Sequence, residues 1–159
     1  MTLTVGVVLL VLVAVLFLIF VFFKRKTSED KWPYYSKKVM TEPEQVLFHR
    51  LVKALPDCIV LSQVQPSRVL GVKKGNNFNQ WNNRISRMSL DFVVCAKDSS
   101  VLTVIELDDS SHDRRGRQKA DGKKDKALRD AGVRLIRWNV KSMPDEVTIK
   151  NEVLVVEAK

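Results

Sequence analysis

Residues 90–108 read LDFVVCAKDSSVLTVIELD, a pattern that already indicates how this part of the chain folds. Two runs rich in β-branched residues, 90–96 and 101–108, stand on either side of the short polar segment 97–100. Such runs favour β-strands, and a polar turn of this length between them is typical of an antiparallel hairpin. The sequence therefore predicts a β-hairpin.

The register of this hairpin determines which acidic residues meet. If Ala96 faces Val101 across the turn, then Asp91 faces Glu106 on the neighbouring strand, and Asp108 shares a face with Glu106 because strand side chains alternate. Like charges directly opposite each other are destabilising unless something compensates them. Hard divalent cations such as Mg²⁺ take oxygen ligands of this kind, so we predict a metal site. The alternative is a solvated acidic hairpin end that pairs with lysines.

A helix is predicted upstream of the hairpin, from Thr41 to about Leu55. Its first residues, Thr-Glu-Pro-Glu, have the form of a capping box with proline in the first turn. Phe48, Leu51 and Leu55 form its predicted buried stripe, and Glu44 lies one turn before Phe48 on that stripe. Glu44 therefore either completes the cap or points a carboxylate toward the core.

The remaining pattern predicts alternating strands and helices. A β-rich run covers 58–64 before the hairpin, and a helix over about 119–131 follows it, ended by Gly132 as the left-handed C-terminal residue. Residues 133–138 predict a further strand. The tail over about 144–156 has both helix and strand features, and we favour the helix. Together these elements predict the α/β class.

An irregular stretch from 65 to 88 mixes cationic and aromatic side chains. Cations that meet phosphates, beside rings that stack on bases, suit a surface that binds a nucleic-acid strand. A solvated connecting loop with its tryptophan tucked inward is the alternative. The predicted nucleic-acid-binding residues are Lys73, Lys74, Trp81, Arg84 and Arg87.

The N-terminal 23 residues contain no charged side chain and are almost entirely apolar. About 20 such residues in a helix cross a hydrocarbon core of roughly 30 Å, so we predict a transmembrane anchor over 1–23. A cleavable signal peptide is the alternative, but the bulky end of the run offers no small-x-small cleavage site. The cations at 24–26 place the C-terminal domain in the cytoplasm by the positive-inside rule.

The formal net charge of +9 lies entirely after residue 23. We expect a charged juxtamembrane linker over 24–40 and one compact domain over 41–159, which is too apolar to be disordered. A basic domain suits phosphate-rich partners, either nucleic acid or anionic lipid headgroups.

Several strings in this chain match those of a known family. They are DFVV at 91–94, IELDDSSH at 105–112, Asp121, Lys124, Asp125, Leu128, and AGV at 131–133 followed by Leu135. With them the chain resembles the bacterial family called domain of unknown function 2726, from about residue 41 to about residue 143. That family is similar to a branch of the PD-(D/E)XK nuclease superfamily, near the very-short-patch-repair type endonucleases.

The resemblance implies a restriction-endonuclease-like core, a mixed sheet flanked by helices with the active site at one end of the central hairpin. Glu44, Asp91 and Glu106 match the positions that gather Mg²⁺ or Mn²⁺ in the superfamily. Metal-bound water would attack a phosphodiester of a nucleic acid. His112 is then a candidate general base or leaving-group acid, although an isolated loop histidine is more often structural.

The sequence departs from the superfamily pattern at one position. The lysine expected two residues after the strand glutamate is replaced by Asp108. A cation from the following helix, Lys119, Lys123 or Lys124, could reach back into the site. The departure leaves open a working, membrane-anchored nuclease at the bacterial inner membrane, or a degenerate module that binds nucleic acid without cutting it. A third alternative is an interaction domain that meets anionic lipid through the cations at 24–26.

Overall fold

The computed structural model describes residues 2–25, 31–109 and 114–154, and the chain divides into two compact units, Met1–Lys37 and Lys38–Lys159. The first unit contains helix α1, Thr2–Arg25. Within it, the segment Val5–Phe23 is long and apolar enough to cross a membrane, a property that signal sequences near an N-terminus share.

The second unit is built on a four-stranded mixed sheet. Its strands are β1 (Ile59–Val64), β2 (Leu90–Cys95), β3 (Val101–Asp108) and β4 (Leu135–Asn139), and they lie in chain order across the sheet. β1 and β3 each pair with β2 in the antiparallel direction, whereas β4 pairs with β3 in the parallel direction. The predicted α/β class is confirmed.

The described part of this unit contains four α-helices: α2 (Glu42–Ala54), α3 (Phe78–Asn82), α4 (Arg114–Asp130) and α5 (Glu146–Leu154). The prediction that α4 begins near residue 119 is wrong, because arginine, glutamine and lysine are good helix formers and extend the helix without an apolar pattern. Its end is as predicted, with Gly132 at a φ of 73°. The favoured helix in the tail is confirmed as far as residue 154.

Helices cover both faces of the sheet. On one face, α2 and α5 contribute Leu47 and Ile149 to a cluster around Phe92, and on the other face Leu128 of α4 packs beside Leu90. The predicted buried stripe of α2 is wrong at Phe48, which is only partly buried. The buried α2 residues are Leu47, Leu51 and Ala54, so the stripe begins one residue earlier than predicted.

The hairpin register has one irregularity near its turn. Cys95, rather than Ala96, pairs with Val101, and the register shifts between Val94 and Cys95. From Val94 inward the pairing is the predicted one, for example Phe92 with Ile105. A β-bulge inserts one extra residue into one strand. Here the pairing next to the turn is one residue out of the predicted register, and the extra residue restores the predicted pairing from Val94 onward. The next residues beyond the Phe92 pair are Asp91 and Glu106, on neighbouring strands.

Candidate functional site

Glu106 on β3 is a buried carboxylate with a buried partner. Only 4% of Glu106 and 8% of Lys124 are exposed, and the Lys124 Nζ of α4 donates a hydrogen bond to Oε2 of Glu106. Within the described part of the chain, Oε1 of Glu106 is buried and has no hydrogen-bond partner. Because buried polar atoms are normally paired, this oxygen marks a position where a ligand would be stabilising.

Lys124 is one of three lysines that the sequence offered to this site. It lies four residues before Leu128, so the two side chains share one face of α4, and that face packs on the sheet. Lys123 points elsewhere and is exposed, and the side chain of Lys119 lies outside the described residues. The spacing to Leu128 is a sequence signal that could have selected Lys124.

The carboxyl groups of Asp91 and Glu106 both have raised pKa values. Burial raises the pKa of Glu106 to about 7, with a further contribution from the charge of Asp91, while the Lys124 hydrogen bond acts in the opposite direction. Burial also raises the pKa of Asp91, against a hydrogen bond of 2.9 Å from the Leu107 backbone N–H to its Oδ2. Glu44 adds to this rise through its negative charge. The site therefore favours either a proton or a bound cation.

Glu44 completes the cap of α2 and also contacts the sheet. Its Oε2 accepts hydrogen bonds from the backbone N–H of Thr41 at 2.6 Å and from the Thr41 Oγ1 at 2.9 Å. Its Oε1 accepts one from Nε2 of Gln63 at 3.0 Å. The capping interpretation is confirmed, and the same carboxylate also contacts β1, so protein donors occupy both of its oxygens.

Gln63 is a residue that the sequence did not single out. It lies in β1 with a φ of 53°, in the left-handed region that residues other than glycine rarely adopt. Besides Glu44, its side chain contacts Ser89, whose Oγ donates a hydrogen bond to Oε1 of Gln63 at 3.0 Å. The Ser89 carbonyl in turn accepts one from Lys124 Nζ at 3.4 Å. Gln63 thus connects the helix glutamate to the Lys124–Glu106 pair.

Asp108 lies two residues beyond Glu106 but has a different partner. Its Oδ1 and Oδ2 accept hydrogen bonds from Nη1 of Arg137 at 3.0 and 3.3 Å. The Nη2 of the same guanidinium donates to Oδ1 of Asp125 at 2.6 Å. Asp108 is close enough to raise the pKa of Asp91, yet its own charge is compensated by Arg137.

The predicted metal set is only partly brought together. Among the residues that the structure describes, no three Asp, Glu, His or Cys side chains are placed to hold one metal ion. Both oxygens of Glu44 already accept hydrogen bonds from protein groups. In this respect Glu44 differs from Glu106, which has an oxygen without such a partner among the described residues. Metal binding by Asp91 and Glu106 stays a prediction. His112 lies outside the described residues.

The predicted nucleic-acid-binding residues divide into two groups. Lys73, Trp81 and Arg84 line a cavity of about 580 Å³ between the segment 70–85 and α4. The Arg84 guanidinium lies 4.1 Å from the centre of the Trp81 ring, and Trp81 is 44% exposed, so the alternative of an inward tryptophan is wrong. The other two, Lys74 and Arg87, are exposed and lie outside the cavity lining.

A family model described as "Protein of unknown function (DUF2726)" matches residues 36–156 of the chain. The chain belongs to this family. The DUF2726 match contains all the carboxylates described above, together with Gln63, Lys124 and the lining of the cavity. Neither the curated proteins nor the solved structures include a match to the chain.

Proposed function

We propose that this DUF2726 protein is a membrane-anchored, nuclease-like protein that acts on phosphodiesters of nucleic acid with Mg²⁺ or Mn²⁺. The observation that carries the proposal is the meeting of Asp91, Glu106 and Lys124, which come from β2, β3 and α4. Burying two acidic groups and one lysine raises the free energy of the folded state. Such groups are often found at functional sites, which is why this arrangement supports the proposal.

The donor set fits a hard divalent cation. Oε1 of Glu106 is buried without a hydrogen-bond partner, and Oδ1 of Asp91 takes no part in the bond from Leu107. Carboxylate oxygens are the ligands that Mg²⁺ prefers, and a cation here would stabilise the charged forms that burial and nearby carboxylates disfavour. When bound, such a metal lowers the pKa of its water and offsets negative charge on the phosphate.

Lys124 has a separate part in the proposal. The superfamily that this chain resembles carries a lysine two residues after the strand glutamate, where this sequence has Asp108. The Lys124 ammonium reaches Glu106 from α4 instead, and a cation at this place stabilises negative charge that develops on a phosphate oxygen. We therefore assign Lys124 the role of the missing strand lysine on a restriction-endonuclease-like fold.

The proposal includes a membrane location for this activity. The apolar segment Val5–Phe23 is followed by Lys24, Arg25 and Lys26, and cations at one end of a span favour the cytoplasmic side. The proposal therefore puts the second compact unit, Lys38–Lys159, on the cytoplasmic side of a bacterial inner membrane.

The test uses the full chain in detergent micelles with labelled DNA and RNA, and with Mg²⁺, Mn²⁺ or a chelator. We expect cleavage that needs the metal and is lost in Glu106→Gln and in Asp91→Asn. Asp57→Asn is the matched control, because Asp57 is an exposed acidic residue that pairs with Lys97 at the other end of the hairpin. Metal-independent cleavage, or equal cleavage by Glu106→Gln and the control, would contradict the proposal.

The second candidate is a binding module that no longer cuts. It is favoured by Asp108, whose pairing with Arg137 leaves the usual lysine position without a cation from β3 itself. For this candidate we expect salt-dependent binding of nucleic acid that Glu106→Gln leaves unchanged, and no cleavage with either metal.

A further inference from the structure

The cavity beside α4 has an apolar wall and a cationic rim. Its apolar lining comes from Leu70, Val72, Ile85 and Ala127, together with the ring of Trp81. At about 580 Å³ it falls within the roughly 300–1,000 Å³ that ligand pockets occupy. A flat, largely apolar group fits such a wall better than a solvated ion does.

Charge around the cavity selects an anionic ligand. Among the described residues, four cationic side chains line it against one carboxylate, that of Asp130, which pairs with Lys126 at 2.8 Å. The cations come from both walls: Lys73, Arg84, Lys123 and Lys126. A nucleotide combines the two features that this cavity suits. Its base is flat and stacks on aromatic rings, and its phosphate binds cations.

The cavity adjoins the proposed site through α4. Lys123 and Lys126 line the cavity, whereas Lys124, in the same turn of about 5.4 Å, contacts Glu106. The cavity and the Lys124–Glu106 pair therefore use neighbouring faces of the same turn of α4.

We propose that this cavity binds an unstacked base of single-stranded nucleic acid, which makes single strands the substrate class. The inference rests on the proposed function and specifies that the nucleic acid is single-stranded. In a duplex both faces of each base are covered by stacking, so a base enters such a cavity only from a single strand or after costly extrusion. Arg84 over the Trp81 ring extends the stacking surface with a cation, as in other single-strand binding surfaces.

Binding is measured by fluorescence anisotropy with the full chain in detergent micelles and a chelator, so that no cleavage occurs. The probes are a labelled single strand of about 12 nucleotides, its duplex, and the same strand with abasic sites that keep every phosphate. We expect the single strand to bind more tightly than the duplex and the abasic strand. Trp81→Ala should weaken single-strand binding about 10-fold or more, because stacking on an aromatic ring contributes that much per base.

Two comparisons separate stacking from a general loss of binding. In Trp81→Ala the normal and abasic strands should bind alike, and Trp81→Phe should keep most of the preference because it keeps a ring. Trp32→Ala is the matched control, since Trp32 is an exposed tryptophan in the other compact unit. Equal binding of duplex and single strand, or of normal and abasic strands, by the unmodified protein would overturn the inference.

The inference and the proposed function fail in different assays. Base-dependent binding through Trp81 without metal-dependent cleavage would support the cavity and refute the nuclease. Cleavage that requires Glu106, with binding unaffected by Trp81→Ala or by abasic sites, would support the nuclease and overturn the cavity.

Discussion

Glu106 and Asp108 lie two residues apart on one strand, yet their surroundings differ in almost every respect. The Glu106 side chain is buried and pairs with a buried lysine of α4, and one of its oxygens has no hydrogen-bond partner in the described part of the chain. The Asp108 side chain is 52% exposed, and Arg137 of β4 contacts both of its oxygens. The buried region therefore holds a carboxylate oxygen without a hydrogen-bond partner in the described residues, whereas the exposed region holds an ion pair that engages both carboxylate oxygens.

The difference shows that burial affects the pKa and the pairing energy of an acidic residue here more than the presence of a nearby cation does. In water, an arginine or lysine nearby changes the free energy of a carboxylate little. Beneath the surface, the same charges are costly, and the pKa of Glu106 rises to about 7. Four measurements would sharpen or break this contrast.

Lys124→Ala should have the largest effect on stability. It leaves the Glu106 carboxylate buried without its cation, a change that costs about 3–5 kcal/mol in buried pairs. Urea denaturation of the full chain in micelles, followed by tryptophan fluorescence, measures the free energy of unfolding. Lys126→Ala is the control on the same helix, where loss of an exposed pair with Asp130 should change the free energy of unfolding far less. Equal losses in the two variants would break the contrast.

The pH dependence of stability should follow Glu106. Because its pKa rises from 4.5 to about 7, the folded protein holds this proton more tightly than the unfolded chain. The stabilisation is complete below pH 4.5 and is lost as the pH rises through about 7. The loss has an upper limit of about 3 kcal/mol at 1.36 kcal/mol per unit.

Urea denaturation at a series of pH values, compared between the unmodified chain and Glu106→Gln, isolates this contribution. The variant lacks the titrating group, so its free energy of unfolding should fall less over the same range. Parallel curves for the two proteins would show that Glu106 keeps an ordinary pKa.

Gln63→Ala should have an intermediate effect. The change removes two side-chain hydrogen bonds, to Glu44 and from Ser89, and should cost about 1–2 kcal/mol. Gln63→Gly removes the same bonds but relieves the φ of 53°, so it should be more stable than Gln63→Ala by about 1 kcal/mol. The urea midpoints of the two variants give this difference. A glycine variant less stable than the alanine variant would exclude strain at this position.

The sequence predicted the elements whose signals are local. Alternating apolar residues gave the hairpin and its inner register, and the Thr41 and Glu44 pair marked the start of α2. Gln63 was not predicted, because its left-handed backbone and its two hydrogen-bond partners depend on how β1 packs against β2 and α2. The choice of Lys124 among three lysines depends on the rotation of α4 against the sheet, which Leu128 fixes by packing.

Asp108→Asn should have the smallest effect on stability. Its carboxylate is half-exposed, and Arg137 keeps its 2.6 Å contact with Asp125 when Asp108 is neutral. We therefore expect the free energy of unfolding to change by less than about 1 kcal/mol, and the difference to shrink further at high salt. Urea denaturation of the variant and the unmodified chain at low and high salt measures both effects. A loss comparable to that of Lys124→Ala would mean that Asp108 belongs to the buried network, and Glu106 would then no longer stand apart from it on β3.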